Sequence, residues 1–219
     1  MNIERFDINF KVSDSELNKM FWENYYSQWE EGTYDFLFKH FDKEKTFLDI
    51  GAWVGPISIV ASFHSKNIIA FEPDHIAYAE FLENIKLNNI DNIKVLMNAV
   101  STKDVITLGC PVLGQSGTSE AFTENSFEAK CITVKQIFDR YNLSEDNVSV
   151  IKIDIEGHEE TLLQDEFLIG LNIPMHISIH PFLAKDRDAF FSAISPFFER
   201  RGIDINEYTN KRIAELEVT

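Results

Sequence analysis

The feature that most constrains the fold is an alternation of short apolar runs with amphipathic runs from residue 46 onward. The apolar runs read TFLDI (46–50), NIIAF (67–71), IKVLMN (93–98), VSVIKIDI (148–155) and MHISIH (175–180). Continuous apolar strands that alternate with helices predict βαβ units and a mostly parallel sheet covered on both faces. Right-handed crossovers between such strands then produce a doubly wound α/β fold.

The runs between these strands predict helices at about 56–64, 74–88, 158–167 and 186–201, and two further β-rich runs, IDIN and RIAELEV, follow near the end. Residues 104–133 interrupt the rhythm, because VITLG and KCIT flank a stretch rich in Gly, Ser and Thr. We interpret this region as a loop-bearing hairpin near the functional edge of the sheet. Its segment 114–119 either closes over a ligand or is an ordinary flexible loop.

Upstream of the sheet, residues 13–31 are predicted to form a helix. Ser13 and Glu16 have the spacing of a capping box, and Gly32 is placed to end the helix. Aromatic residues at three- and four-residue steps share one face of it, namely Phe21, Trp22, Tyr25, Tyr26 and Trp29. We expect this face to pack into the core; a sugar-stacking lid or a homo-oligomer contact is the alternative.

Length and charge limit the classes of function. The 219 residues suffice for one domain with a real core, so residues 1–219 are predicted to form a single domain with 1–45 as a helical extension. The net charge of −16 repels phosphate backbones and acidic lipid, so we expect no nucleic-acid partner and no membrane. The two cysteines lack a metal-ligand pattern, and no long apolar run is present, which favours a cytoplasmic protein.

The turn after the first predicted strand carries the strongest functional signal. Residues 49–56 read DIGAWVGP, and Gly51 and Gly55 permit a tight turn with close approach of the backbone. The second strand ends at Glu72, 21 residues after Gly51, where a carboxylate can accept both hydroxyls of a ribose. Ligands of open α/β sheets bind beyond the carboxyl ends of the strands, so these residues predict a nucleoside site.

The spacing within this turn discriminates between two classes of nucleoside cofactor. A dinucleotide needs G-x-G-x-x-G for its pyrophosphate, but Trp53 stands at the second glycine and Pro56 removes an amide donor. Asp49 repels a diphosphate and suits a cationic, phosphate-free cofactor with an amino-acid tail, which is the chemistry of S-adenosylmethionine. The residues expected to bind it are Asp49, Gly51, Ala52, Trp53, Gly55, Glu72, Asn98, Ala99 and Asp154.

Two of these assignments come from the third strand, since the tip at Asn98 and Ala99 is expected to face the adenine. The alternative for Asn98 is a plain turn residue. The alternative for the whole set is a group of turn and helix-cap residues in some other α/β domain.

Four segments of the chain resemble the FkbM-type family of S-adenosylmethionine-dependent methyltransferases: FLDIGAWVGP, IIAFEPD, NAVS and IKIDIEGHEETLL, within residues 46–183. Residues 152–159 are the most specific, because they join a buried strand to a helix through an acidic turn. The resemblance implies a class I methyltransferase fold, with a seven-stranded, mostly parallel sheet and an antiparallel last strand. It also implies methylation of hydroxyl oxygens, often on sugars or secondary metabolites. Trp53 and His180 stand where many members have Asn and Glu, as in a subset of the family.

Three side chains at the carboxyl edge are candidates for catalysis. Methyl transfer is an in-line displacement, and a hydroxyl nucleophile benefits from a general base. Asp154 and Glu156 follow one strand, and His180 ends its expected neighbour. We interpret His180 as the base, oriented by Asp154 or Glu156, with Asp154 beside the methyl group. The alternatives are a divalent-metal site formed by these three, which is less favoured, and purely structural turns at Glu156 and His180.

These inferences predict a cytoplasmic class I methyltransferase that acts on a hydroxyl of a carbohydrate or another small molecule. A nicotinamide-dependent oxidoreductase is a rival interpretation, and Trp53 argues against it. A binding or scaffold protein that retains the fold without turnover is a rival from another class.

Overall fold

The computed structural model of the chain describes residues 1–209, 211 and 213–219. Its first elements are the strands β1 (Asn2–Arg5) and β2 (Ile8–Lys11), which form an antiparallel hairpin, and the helix α1 (Glu31–His40). The next elements are β3 (Thr46–Ile50), α2 (Pro56–Ala61), β4 (Asn67–Phe71), α3 (His75–Leu87), β5 (Ile93–Leu96) and β6 (Ala99–Val100).

The second half of the chain continues the alternation of strands and helices. Its elements are β7 (Val105–Leu108), β8 (Phe127–Ile132), α4 (Val134–Tyr141), β9 (Val148–Asp154), α5 (Glu159–Leu162), α6 (Glu166–Gly170), β10 (Met175–Ile179), α7 (Arg187–Arg201) and β11 (Ala214–Val218). Among the described residues, no helix combines the length and the apolarity needed to cross a bilayer.

The main sheet has the strand order β11-β10-β9-β3-β4-β5. Its strands are parallel except β11, which runs antiparallel to β10. The doubly wound α/β fold with an antiparallel last strand is therefore confirmed. From β3 the chain adds β4 and β5 on one side of the sheet. It then crosses back and adds β9, β10 and β11 on the other side of β3, so the direction of strand addition switches between β3 and β9.

The expected count of seven strands is wrong for the described part of the chain, where six strands form the main sheet. The run IDIN forms a short 3₁₀ turn (Ile205–Glu207) instead of a strand, because the Asp204 side chain accepts the Asn206 N–H and starts a helical turn. The strands β6, β8 and β7 form a separate three-stranded sheet, in which β7 and β8 make the expected antiparallel pair.

The predicted helix over residues 13–31 is wrong in its bounds and its form. The backbone is helical over residues 19–28, mainly as a π-helical turn (Phe21–Tyr25) and a 3₁₀ turn (Tyr26–Gln28), and Gly32 lies inside α1. Ser13 does not cap a helix, since its hydroxyl donates to Glu83 on α3 and accepts the N–H of Ser15 in the segment before the helical residues. The aromatic rings pack against β2 and against Trp53, in different directions, which the single face of a straight helix does not allow.

Some of the aromatic residues in this segment pack into the core as expected, and others do not. Trp22 and Tyr26 are buried, whereas Tyr25 is 60% exposed. A homo-oligomer contact through this segment stays a prediction.

The remaining helices show how side-chain caps set their boundaries. Asp74 and Asp186 cap α3 and α7 at the expected positions. The helix expected at 158–167 is split, because Asp165 accepts the N–H groups of Phe167 and Leu168 and begins α6. Helix α4 was not anticipated, although Thr133 and Gln136 form a capping box that marks its start.

The apolar core lies on both faces of the main sheet. On one face, α4 to α7 cover β9 and β10 through side chains such as Phe197 and Leu162. On the other face, α1 to α3 and the N-terminal hairpin bury Tyr34, Phe47 and Phe81. Each fully buried apolar side chain of this size contributes about 1.5–3 kcal/mol to folding. The two layers leave the carboxyl edge of the sheet open.

Candidate functional site

A cavity of about 240 Å³ lies at the carboxyl edge of the main sheet, at the switch between β3 and β9. Its lining contains most of the residues that the sequence analysis selected: Gly51, Ala52, Trp53, Glu72, Asn98, Ala99, Asp154, Glu156 and His180. Asp49 and Gly55 do not line it. The switch point of an open α/β sheet is where this class of fold binds its ligands.

Two positions in the tight turn after β3 require glycine. Gly51 has φ +81°, and a Cβ there would lie 1.7 Å from the carbonyl oxygen of Asp154. Gly55 has φ +85°, and a Cβ there would lie 2.1 Å from the ring of Phe81. Gly51 thus permits the close approach of the Asp154 backbone, and Gly55 permits that of the Phe81 ring. Gly55 has a packing role and does not line the cavity.

Glu72 is held at the tip of β4 by two backbone amides. Its Oε2 accepts the Trp53 N–H at 2.8 Å, and its Oε1 accepts the Asp74 N–H at 2.8 Å. Burial raises the pKa of this carboxyl to about 7, against the lowering effect of the two amides. Each oxygen retains acceptor capacity for a ligand hydroxyl, because a carboxylate offers about four lone-pair positions.

Asp49 is placed differently from the expectation. Its carboxylate is buried beneath the cavity, where Oδ2 accepts from the Ser58 hydroxyl at 2.6 Å and Oδ1 lies 3.3 Å from the Lys152 ammonium. The expectation that Asp49 touches the cationic tail of a cofactor is therefore not met. The residue acts one step further from the cavity, as the counter-ion of a buried lysine.

Lys152 is the functional residue that the sequence analysis missed. Its ammonium lines the cavity, donates to the Gly51 carbonyl at 2.5 Å and lies 3.8 Å from Asp154. Burial lowers the pKa of this group, but Asp49 and Asp154 outweigh burial and raise it. The available signal was a lysine inside an apolar strand, since lysine is almost never fully buried unless it is paired.

The side chains of Asp154, Glu156 and His180, which we call the edge cluster, converge at one end of the cavity. His180 Nε2 lies 3.7 Å from Asp154 and 3.6 Å from Glu156. The partner that orients the imidazole is Glu159, whose carboxylate lies 2.9 Å from His180 Nδ1. Orientation by Asp154 or Glu156 is thus wrong, because those two face the other ring nitrogen.

Electrostatics within the edge cluster favour a charged imidazole. Burial lowers the pKa of His180, but Glu159, Asp154 and Glu156 outweigh it and raise the pKa to about 9. Burial and the nearby Asp154 raise the pKa of Glu156 to about 7. A histidine that holds its proton near neutrality is a poor general base, so the expected base role of His180 requires a change in its surroundings.

The cavity as a whole has an excess of acidic groups. Its titratable lining consists of Glu30, Glu72, Asp154, Glu156 and Glu215 on the acidic side and of Lys152, His158 and His180 on the basic side. Burial, reinforced by Glu30, raises the pKa of Glu215 to about 7. In their ionised forms, these carboxyl groups favour ligands that carry positive charge.

Asn98 and Ala99 lie where the small sheet meets the cavity, together with Ile106 and Leu108. The Asn98 side-chain amide donates to the Lys130 carbonyl at 3.1 Å, which fixes its orientation. The site therefore has an apolar wall next to a strand tip on the β5 side. The contact of Asn98 with an adenine stays a prediction.

The rim of the cavity is formed by residues 110–125, which we call the rim loop. Residues 115–118 line the cavity, and Gly114 is anchored through its N–H to Asp74 at 2.6 Å and through its carbonyl to the Trp53 indole at 2.9 Å. A second anchor joins Glu120 to His158 at 2.6 Å, and the other nitrogen of His158 lies 2.8 Å from the Ser101 hydroxyl. His158 therefore ties the loop to the sheet.

Comparison with known proteins identifies the family. The methyltransferase FkbM domain matches residues 49–205. The chain belongs to this family. Its cofactor is S-adenosylmethionine. The donor set of the cavity fits that molecule, since the lining combines a carboxyl group at the tip of β4, an apolar wall beside it and further carboxyl groups whose ionised forms suit a sulfonium.

One curated relative and two solved structures illustrate the similarity. The chain is 24% identical over 135 residues to the hexuronic acid methyltransferase AglP of Haloferax volcanii, covering 62% of this chain and 55% of that protein. The chain therefore spans about half the length of this relative.

The solved structures are similar at lower identity. The methyltransferase FkbM from Methylobacillus flagellatus has a TM-score of 0.46, 17% identity and coverage of 74% of this chain and 39% of that one. M. jannaschii TYW2 in complex with AdoMet has a TM-score of 0.46, 14% identity and coverage of 99% and 83%. Trp29, Glu30, Ile213 and Glu215, which line the cavity, lie outside the family match.

Proposed function

We propose that this chain is an O-methyltransferase that transfers the methyl group of S-adenosylmethionine to a hydroxyl of a carbohydrate or another small molecule. The observation that carries the proposal is one continuous cavity with Glu72 among its lining residues and the edge cluster elsewhere in the same lining. A single cavity with these two chemically distinct parts suits a reaction between a bound nucleoside and a second substrate. The name of the curated relative supports a sugar as acceptor.

In this proposal the cofactor is held by residues around the switch point. Glu72 accepts the ribose hydroxyls, Asn98 and Ala99 lie against the adenine, and the backbone of Gly51 borders the amino-acid tail. When bound, the cofactor supplies a methyl group on a positively charged sulfur. The ionised carboxylates of the cavity favour that charge in the bound state.

At the other end, the edge cluster positions the acceptor hydroxyl for in-line attack, and the hydroxyl proton is released as the methyl ether forms. The rim loop and Trp29 also line the cavity, and in this proposal they limit the access of water to the reactants. Positioning two reactants in one geometry is the main contribution that a protein makes to such a displacement.

The cofactor part is tested by calorimetry with S-adenosylhomocysteine. We expect Glu72→Ala to weaken binding by more than about tenfold, because two ribose hydroxyls lose their acceptor. The affinity of Glu72→Gln, which keeps one acceptor oxygen, should lie between those of the wild type and Glu72→Ala. Glu128→Ala is the matched control, since Glu128 is exposed and does not line the cavity. Unchanged affinity in folded Glu72→Ala, or preferential binding of NAD by the wild type, contradicts the proposal.

The acceptor part is tested by transfer of a labelled methyl group to a panel of free sugars and small alcohols, with mass-spectrometric analysis of the product. We expect a methyl ether. A methylated nitrogen or carbon contradicts O-methylation, and cofactor binding without any transfer across a broad panel supports a scaffold protein instead.

A further inference from the structure

The edge cluster brings together two carboxylates and one imidazole from two neighbouring strands. Asp154 ends β9, Glu156 follows in the next turn, and His180 follows β10. Because β9 and β10 are parallel, with Asp154 opposite Ser178, their carboxyl ends meet at the same edge. One potential ligand atom from each of the three side chains lies within 4.8 Å of the other two. This spacing allows one ion to contact all three.

His180 has the geometry of a metal ligand, provided that the ion displaces the proton from Nε2. Its side chain is only 5% exposed, and Nδ1 is fixed by the fully buried Glu159 at 2.9 Å. Nε2 has no hydrogen-bond partner among the described residues, and it faces Asp154 and Glu156 at 3.7 and 3.6 Å. Metal-binding histidines almost always donate their second ring N–H to a carboxylate or carbonyl in this way.

A second observation concerns the carboxylate. Asp154 Oδ1 is buried and has no hydrogen-bond partner within the described part of the chain. The basic groups nearest this carboxylate are His180 Nε2 at 3.7 Å and Lys152 Nζ at 3.8 Å, both beyond hydrogen-bond distance, so a closer partner at Oδ1 would be favourable. A cation between Asp154 Oδ1 and His180 Nε2 would satisfy both atoms.

We propose that Asp154, Glu156 and His180 bind a divalent cation of the Mg²⁺ or Mn²⁺ type. Carboxylate oxygens with one imidazole and open positions for water suit these hard ions. In this arrangement His180 is a ligand and not the general base, and Glu159 is a positioning residue. This assignment deepens the proposed function, and its catalytic part rests on that function, whereas binding of the ion does not.

The catalytic consequence concerns the acceptor hydroxyl. An ion held by the edge cluster would bind the hydroxyl oxygen in an open position and lower the pKa of the hydroxyl. The proton would pass to water, the oxygen would form a bond to the methyl carbon, and the carbon–sulfur bond would break with its electron pair passing to sulfur. The products are a methyl ether, a neutral thioether and a solvated proton, which carries the positive charge that the sulfonium loses.

The ion site is tested on the full chain after treatment with a chelator, with Mn²⁺ as the probe and electron paramagnetic resonance to count free ion. We expect saturable binding of about one equivalent. Asp154→Asn and His180→Ala should each weaken binding by at least about tenfold. His75→Ala is the matched control, because His75 is exposed and lies outside the cavity, and should bind as the wild type does.

Two outcomes overturn the ion site: the absence of saturable Mn²⁺ binding to the folded wild type, or binding that survives both substitutions. Circular dichroism establishes folding of each variant, and a Mn²⁺-induced rise in the unfolding temperature of the wild type, absent from Asp154→Asn, supports the site independently. The experiments distinguish failure of the ion proposal from failure of the proposed methyltransferase function. Binding of S-adenosylhomocysteine and full methyl transfer in excess chelator overturn the catalytic role of the ion and leave the proposed function standing.

Discussion

Glu72 illustrates, at the scale of one residue, how burial sets the chemistry of a side chain. The charged groups that act on it are Asp74, which raises its pKa, and Lys152, which lowers it, while the N–H groups of Trp53 and Asp74 stabilise the ionised form. Burial dominates, and the pKa is about 7. A ligand whose hydroxyls donate to the carboxylate stabilises the ionised form further, so binding and deprotonation are linked.

We therefore predict that the affinity for S-adenosylhomocysteine falls by roughly tenfold from about pH 8 to about pH 6. The sign follows from the raised pKa: below it Glu72 is protonated in the free protein, and the proton must be released before both hydroxyls can donate. Calorimetry in two buffers of different ionisation enthalpy measures both the affinity and the proton release. Glu72→Gln should give a flatter profile with weaker binding at high pH, and an equal slope in the variant refutes this explanation.

At the scale of elements, the rim loop depends on a few anchors to the sheet. Its first half is held through Gly114. Its second half is held through Ser119, whose backbone pairs with Gly109, and through Glu120, which contacts His158 and, more weakly, Lys103. The hydrogen bond from His158 lowers the pKa of Glu120 against the effect of burial, and the electrostatic effects of His158 and Lys103 act in the same direction as the hydrogen bond. Removing the Glu120 contact should loosen the second half of the loop and leave the sheet intact.

We predict that Glu120→Ala increases amide hydrogen exchange in residues 115–125 by roughly fivefold, which corresponds to a loss of about 1 kcal/mol for a partly exposed charge-assisted contact. Exchange in β9 and β10 should stay unchanged. Glu124→Ala is the control within the same loop, because the one hydrogen bond of its side chain within the described residues comes from the neighbouring Thr123 N–H. Equal exchange in the two variants would show that the His158 contact does not hold the loop.

At the scale of the whole molecule, acidic charge dominates both the surface and the cavity. The chain carries 36 acidic and 20 basic residues. A phosphate backbone meets repulsion from the net charge, and the carboxylates of the cavity add to it near the site. This distribution suits a small neutral or cationic acceptor better than a polyanion.

We predict that the protein does not retard tRNA or duplex DNA in an electrophoretic assay at about 0.1 M salt, even at protein concentrations of about 10 μM. A basic protein of similar size serves as the positive control for the gel. Retardation that weakens with added salt would contradict the prediction and point to a nucleic-acid substrate.

Several elements could be predicted from local patterns alone. The strands β3, β4, β9 and β10 were predicted within a residue or two, because each is a short run in which apolar, mostly β-branched residues predominate. The prediction of one helix in the N-terminal segment failed because distant contacts outweighed the local pattern. The aromatic spacing fits a helix, but the rings pack against β2 and against Trp53. Helical spacing states which side chains share a face only if the backbone is a regular helix.

The sequence by itself determined the family, the doubly wound order of strands and the edge of the sheet that carries the site, because these follow from periodicity and from motifs within short segments. Only the tertiary structure decided that Asp49 lies beneath the cavity, paired with Lys152, and that Glu159 orients His180. It also brought Glu30 and Glu215 into one lining from the two ends of the chain. The physical reason is that contacts between distant residues depend on strand register and packing, which local sequence patterns do not encode.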